Sequence, residues 1–269
     1  MWEDRKSIFI IGSPRSGTTW LLRLLQKHTK LAIATPYALD YKDDLGEESN
    51  FFNYRINQYK FKNDLAKKNY IRKKYFSILK PHQVGFVDKT PAHSFHIDDI
   101  DNIFPEAYFI NILRNGLDVT ASIKEYKYFR IKNYAPFSNF RPDNWRNEED
   151  FGKLELNDSE LNQWRLHTEA AMLARKFGKC YISMYYDDMV LDPVVSLGHL
   201  FDDLGIKNES AQIVKMYDEN SPSKLGINPK IKIIGTRGPR WKGVLNEREL
   251  AFFKENSGNL MDELIFDWD

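Results

Sequence analysis

The sequence is short of several things at once. It has one cysteine in 269 residues, Cys180. An intrachain disulfide framework and a zinc fold built on several thiolates are therefore closed to it. Cys180 opens an apolar stretch, Cys180-Tyr181-Ile182, and reads as a packed thiol rather than a reactive one. Neither charge is in excess: 39 Lys and Arg face 38 Asp and Glu, a formal net charge of +1. That balance argues against a surface built throughout for nucleic acid, while leaving room for one local basic site for a compact anion. No apolar run is long enough to span a bilayer. The start, Met1-Trp2-Glu3-Asp4-Arg5-Lys6, lacks the apolar core and cleavage site of a signal peptide. The expectation is a cytoplasmic protein without a membrane span or a nucleic-acid partner. Internal repeats and low-complexity tracts are missing too.

What is present is the mixture of a soluble globular chain, 42 % hydrophobic and 29 % charged. The length suits a single domain over residues 1–269. Short apolar runs at 7–11, 84–87, 108–113 and 180–185 predict buried strands. Helical spacing predicts helices at 18–28, 61–79, 93–104, 115–126, 159–177, 193–204 and 210–217, with a last one from about 246. This alternation implies a three-layer α/β fold, a central parallel sheet flanked by helices. Ligands of such sheets bind beyond the carboxyl ends of the strands.

The first strand ends in Gly12-Ser13-Pro14-Arg15-Ser16-Gly17-Thr18-Thr19 and opens a helix. Glycines let the backbone turn its N–H groups and the helix N-terminus toward an anion. The G-x-x-x-x-G spacing is that of a nucleoside-triphosphate loop, which continues with Lys. Thr18 stands in that Lys position, so the loop is built for phosphate but poorly for a kinase or ATPase. Its cation comes earlier, at Arg15.

With Trp20 added, this stretch resembles the 5′-phosphosulfate loop of the sulfotransferase family, whose donor is 3′-phosphoadenosine-5′-phosphosulfate (PAPS) and whose nucleotide product is adenosine-3′,5′-bisphosphate. The resemblance implies the P-loop-like fold of that family. It also implies that Arg15, Ser16, Gly17, Thr18 and Thr19 cradle the 5′-phosphate, with Arg15 facing the bridging oxygen. Trp20 would lie near the adenine or pack in the core. Leu113-Arg114-Asn115-Gly116-Leu117-Asp118-Val119-Thr120-Ala121-Ser122 resembles the family's 3′-phosphate motif, in which an Arg and a Ser eight residues later hold the phosphate; here these are Arg114 and Ser122. Relatives often carry Pro where Gly116 stands, and Gly weakens a helix start. The basic loop Gly235–Gly243 resembles the segment that closes over the nucleotide, with Arg237, Arg240 and Lys242 as its cations.

For the chemistry, Asp88-Lys89-Thr90-Pro91 resembles the family's Lys-Thr-Pro segment, which makes Lys89 the sulfonate-facing cation; pairing with Asp88 or another acid is the plainer reading of that lysine. Pro91 occupies the position of the histidine base of cytosolic small-molecule members. Glu48-Ser49-Asn50-Phe51-Phe52 instead matches the E-x-x-F-F pattern of glycan-modifying members, and glutamate also serves the tyrosylprotein type. Glu48 is thus the leading general base, with Glu47, His93 and His96 as alternatives. Catalysis would rest on Glu48, Lys89 and Arg15. No metal-ligand pattern is present and no metal is expected.

The acceptor would be a hydroxyl- or amine-bearing molecule: a sugar, phenol, lipid headgroup or small alcohol. Segments 36–80 and 127–158 would bind it, with Glu47, Phe51, Phe52, His93, Tyr128 and Trp145 as contacts. Alternative readings are a P-loop nucleotide kinase or NTPase, and a non-catalytic module on the same fold.

Overall fold

A computed structural model describes residues 4–39, 48–49, 51–52, 60–131, 148–207, 210–220 and 240–268. Glu47, Trp145 and Arg237 lie outside these described residues. Five strands form one sheet: β1 (Lys6–Gly12), β2 (Leu31–Ile33), β3 (Gly85–Lys89), β4 (Tyr108–Leu113) and β5 (Tyr181–Tyr185). All pairings are parallel, in the order β2-β3-β1-β4-β5. The four strands expected from apolar runs are there. β2, three residues long, is too short to announce itself by periodicity.

Alternation along the strands divides the core into two layers. Phe9 and Ile11 face one side, with Tyr75, Phe86, Phe104 and Phe109. Ile8 and Ile10 face the other, with Leu21, Leu24, Val87, Ile110 and Phe201. The helices over these faces include α1 (Thr18–Leu25), α2 (Asp64–Phe76), α3 (Ile97–Ile103) and α4 (Gly116–Ile131). They continue with α5 (Glu148–Gly152), α6 (Asp158–Met172), α7 (Tyr186–Leu191), α8 (Pro193–Asp203), α9 (Ser210–Asn220) and α10 (Glu247–Glu263). This is the expected three-layer α/β architecture. Because β1 is central, with β3 on one side and β4 on the other, the carboxyl ends of these three strands open onto one crevice.

A third cluster, beyond the end of β4, sets the start of α4. Leu113, Leu117, Trp164, Phe253 and Met261 are buried together. A Cβ on Gly116 would stand 2.6 Å from both Trp164 and Phe253. The departure from Pro at this position therefore has a packing reason: α6 and α10 leave no room for a side chain. The helix start is secured by Asn115, whose Oδ1 accepts from the N–H groups of Leu117 (3.0 Å) and Asp118 (3.4 Å).

Candidate active site

The loop after β1 is held open by its backbone. Arg15 has φ 72° and Gly17 has φ 108°. A left-handed non-glycine residue costs on the order of 1–3 kcal/mol and clusters at binding sites. At Gly17 glycine is required twice over, because a Cβ would also stand 2.5 Å from the Tyr186 ring. The Ser16 hydroxyl is used inside the loop, donating to Ser13 O at 2.6 Å. Gly12 N–H donates to Ser94 Oγ at 3.0 Å, tying the loop to the turn after β3. Gly17 caps α1 without a side-chain acceptor, so the first N–H groups of α1 face outward, as at an anion site.

The end of β4 supplies a second cation. Arg114 is nearly buried. Its Nη1 donates to Arg15 O at 3.2 Å, and its guanidinium lies 4.2 Å from the centre of the Tyr186 ring. Trp164 Nε1 donates to Arg114 O at 3.1 Å, fixing the strand end from below. Arg114 Nε is buried with no hydrogen-bond partner among the described residues, a donor beside an anion loop. Arg15 Nε donates to Ser122 Oγ at 3.2 Å, and its guanidinium lies 5.0 Å from the Tyr126 ring centre. Thus Arg15, Arg114 and Ser122 are brought together.

Arg240 joins them as an ion-pair partner of Glu125 on α4. Burial, followed by the nearby Arg240 charge, pulls the Arg15 pKa down. Burial also works to lower that of Arg240, but Glu125, with Tyr186 and Asp118 adding to it, more than offsets this and the net shift is upward. A crowd of guanidinium groups that depresses one of its own members is an environment that favours an anion. Lys242 is exposed, its ammonium 5.5 Å from the Trp241 ring centre.

The end of β3 carries the other half of the site. Lys89 is almost fully buried; its Nζ donates to Thr19 Oγ1 at 3.0 Å and to Glu48 Oε1 at 2.8 Å. Glu48 is the more open member of this pair, with 36 % of its side chain exposed. A loop hydroxyl, a buried ammonium and an accessible carboxylate therefore form one chain. Of the acids open to Lys89, Glu48 is the one it pairs with, and Asp88 is not. Adjacent strand residues point to opposite faces, and Asp88 instead accepts from Ser49 and Tyr75.

Other expected contacts sit deeper. Phe51, Phe52 and His93 are fully buried against the Phe9 ring layer. Tyr128 is buried against Phe151. His96 lies on the surface turn beside Asp99. Trp20 is half-buried and packs on Tyr186 and Tyr217. Among the described residues no group of three or more His, Cys, Asp or Glu is arranged to hold a metal ion.

Sequence reasoning missed Tyr186 and Glu125. Tyr186 follows the end of β5 and so shares the crevice rule that found the others. Glu125 is three residues after Ser122, on the same face of α4.

A model of the sulfotransferase family matches residues 7–210. The chain belongs to the sulfotransferase family. That match contains the Gly12–Trp20 loop, Glu48, Lys89 and the Arg114–Ser122 segment. No curated protein sequence matches the chain. Among solved structures, sulfotransferase STF9 from Mycobacterium avium is similar at 17 % identity, with a TM-score of 0.58 over 98 % of this chain and 78 % of that one. The sulfotransferase domain of the Synechococcus PCC 7002 olefin synthase gives 18 % identity and a TM-score of 0.55, over 99 % and 98 %. Mouse sulfotransferase SULT7A1, solved in complex with PAP, gives 15 % identity and a TM-score of 0.54, over 96 % and 85 %. At these identities the likeness establishes the sulfotransferase fold.

Proposed function

We propose that this sulfotransferase moves a sulfonate group from PAPS to a hydroxyl or amine by in-line displacement, leaving adenosine-3′,5′-bisphosphate. The donor supplies an activated sulfonate on a phosphate leaving group. Support comes from family membership, from a structural neighbour solved with PAP, and from a site whose cations and loop N–H groups suit two phosphates. The backbone of 15–19 with Thr18 and Thr19 holds the 5′-phosphate. Arg114 and Ser122 hold the 3′-phosphate, with Arg240 and Lys242 alongside. Arg15 lies between these two sets, bonded to Ser122, and neutralises charge on the donor.

Lys89 and Glu48 do the remaining work. Glu48 takes the proton from the acceptor while Lys89 offsets negative charge at the reacting end. The acceptor is a sugar, phenol, lipid headgroup or small alcohol, and the whole chain from 1 to 269 acts as one domain. The observation that carries this reading is the Thr19–Lys89–Glu48 chain, which joins the phosphate loop to an open carboxylate within two hydrogen bonds.

The experiment is a panel of acceptors with sulfur-labelled PAPS. Wild type labels at least one acceptor class, and Glu48→Gln lowers the rate by about 10²-fold or more. Full turnover in Glu48→Gln would remove Glu48 as the base. Magnesium-dependent ATP binding with no transfer from PAPS would overturn the whole reading.

A further inference from the structure

Two consecutive residues of β3 grip two consecutive residues of the neighbouring segment. Lys89 holds Glu48 on the α1 side of the sheet. On the opposite side, Asp88 Oδ2 accepts a 2.7 Å hydrogen bond from the hydroxyl of Ser49. The same oxygen accepts from the Tyr75 hydroxyl at 2.6 Å. His93 Nε2 lies 3.2 Å from it, outside hydrogen-bond geometry. Asp88, Ser49, Tyr75 and His93 are fully buried.

A carboxylate buried this deeply is unfavourable unless its bonds repay the desolvation, and Asp88 Oδ1 has no hydrogen-bond partner among the described residues. Phe51 and Phe52, packed on Tyr75, already anchor the segment by apolar contact. The carboxylate adds direction. Two hydroxyl donors converge on Oδ2, and the Ser49 bond fixes the residue next to Glu48.

We propose that Asp88 is a positioning residue for sulfonate transfer: through Ser49 Oγ it fixes the backbone that carries Glu48, so that the carboxylate stays against Lys89 beside Thr19. The inference rests on the assignment of Glu48 as base, and its test separates the two. Ser49→Ala removes the hydroxyl that Asp88 holds, which also accepts from Phe51 N–H at 3.5 Å, and Asp88→Asn replaces the carboxylate by an amide; if Asp88→Asn fails to fold, Ser49→Ala decides alone.

The first readout needs no acceptor. In protein labelled with ¹⁵N-lysine, the buried Lys89 ammonium gives a slowly exchanging signal. Ser49→Ala speeds that exchange by about 10-fold or more, while adenosine-3′,5′-bisphosphate affinity and amide exchange over β1 stay within about twofold of wild type. The second readout is labelled PAPS consumption. Here kcat falls by about 10-fold to 100-fold with KM for PAPS unchanged, and in a Glu48→Gln background Ser49→Ala adds no further loss. Unchanged Lys89 exchange in Ser49→Ala, or an undiminished additional loss in the Glu48→Gln background, overturns the positioning role. A fully active Glu48→Gln protein with altered Lys89 exchange in Ser49→Ala would instead sink the base and leave the clamp standing.

Discussion

The two ends of the site are built by different means. At the end proposed for the nucleotide, Arg15 bonds Ser122 and Arg114 bonds the Arg15 carbonyl, with Glu125 paired to Arg240 and Asp118 3.9 Å from Arg114. These groups stand on or beside α4 and the ends of β1 and β4, and Trp164 and Asn115 brace the elements from outside. At the reacting end one buried lysine meets one carboxylate, and that carboxylate comes from a segment held by Ser49 and two phenylalanines. The contrast teaches where the fold spends its charge. In the proposed reading, binding is spread over several cations and reactivity is concentrated in the Lys89–Glu48 pair, so single substitutions at that pair should act on rate rather than on affinity.

The largest expected effect tests that division directly. Lys89→Met should lower labelled-sulfonate transfer by about 10³-fold while leaving adenosine-3′,5′-bisphosphate affinity within a few-fold, as read by calorimetry. Equal losses of rate and affinity would break the comparison.

Next comes Gly116→Ala. It forces a methyl group toward Trp164 and Phe253, and overpacking of this kind costs about 1–3 kcal/mol. Thermal or urea unfolding should show the loss. Because Trp164 holds the Arg114 carbonyl, nucleotide affinity should fall with it, while the Lys89 exchange signal should not change.

Glu125→Gln should act more gently. Arg240 loses its charged partner, and the nucleotide should bind by a few-fold differently, with a steeper dependence on salt. No change in either affinity or salt dependence would show that Glu125 is remote from the bound nucleotide.

The smallest effect belongs to the frame that both ends share. Burial, with Lys30 adding to it, lowers the His28 pKa below 6.5, and burial also lowers that of His167. The unfolded chain therefore takes up protons first as pH falls. Their contribution to stability is present above about pH 6.5 and is lost progressively below it. Melting temperature should decline on acidification through that range, and His28→Gln should flatten the decline.

Much of the nucleotide end was legible because its signals are local. The strand-loop-helix of 7–20 and the strand-helix of 108–122 each place their proposed ligands within one short run, and alternation of apolar strands with helices indicated the layers. The reacting end was legible only through resemblance. Lys89 lies 70 residues from Thr19 and 41 from Glu48 along the chain. Nothing in local pattern reports such contacts. Strand alternation would have separated Lys89 from Asp88, since successive residues of β3 face opposite layers. Packing was the other blind spot. Gly116 looked like a weakness of the helix start, and only the proximity of α6 and α10 explains it. Phe51, Phe52 and His93 were expected at the acceptor, and the structure buries all three in the aromatic layer around Phe9 and Tyr75.

The central claim is that the crevice at the ends of β1, β3 and β4 is a binding site for a 3′-phosphorylated adenine nucleotide. Calorimetric titration with adenosine-3′,5′-bisphosphate, for wild type and Arg114→Ala side by side, tests it most directly. The expected result is one site per chain without magnesium, weakened by about 10-fold or more in Arg114→Ala, in line with loss of a charge-assisted phosphate contact. No binding to wild type, or equal affinity in the two proteins, would contradict it.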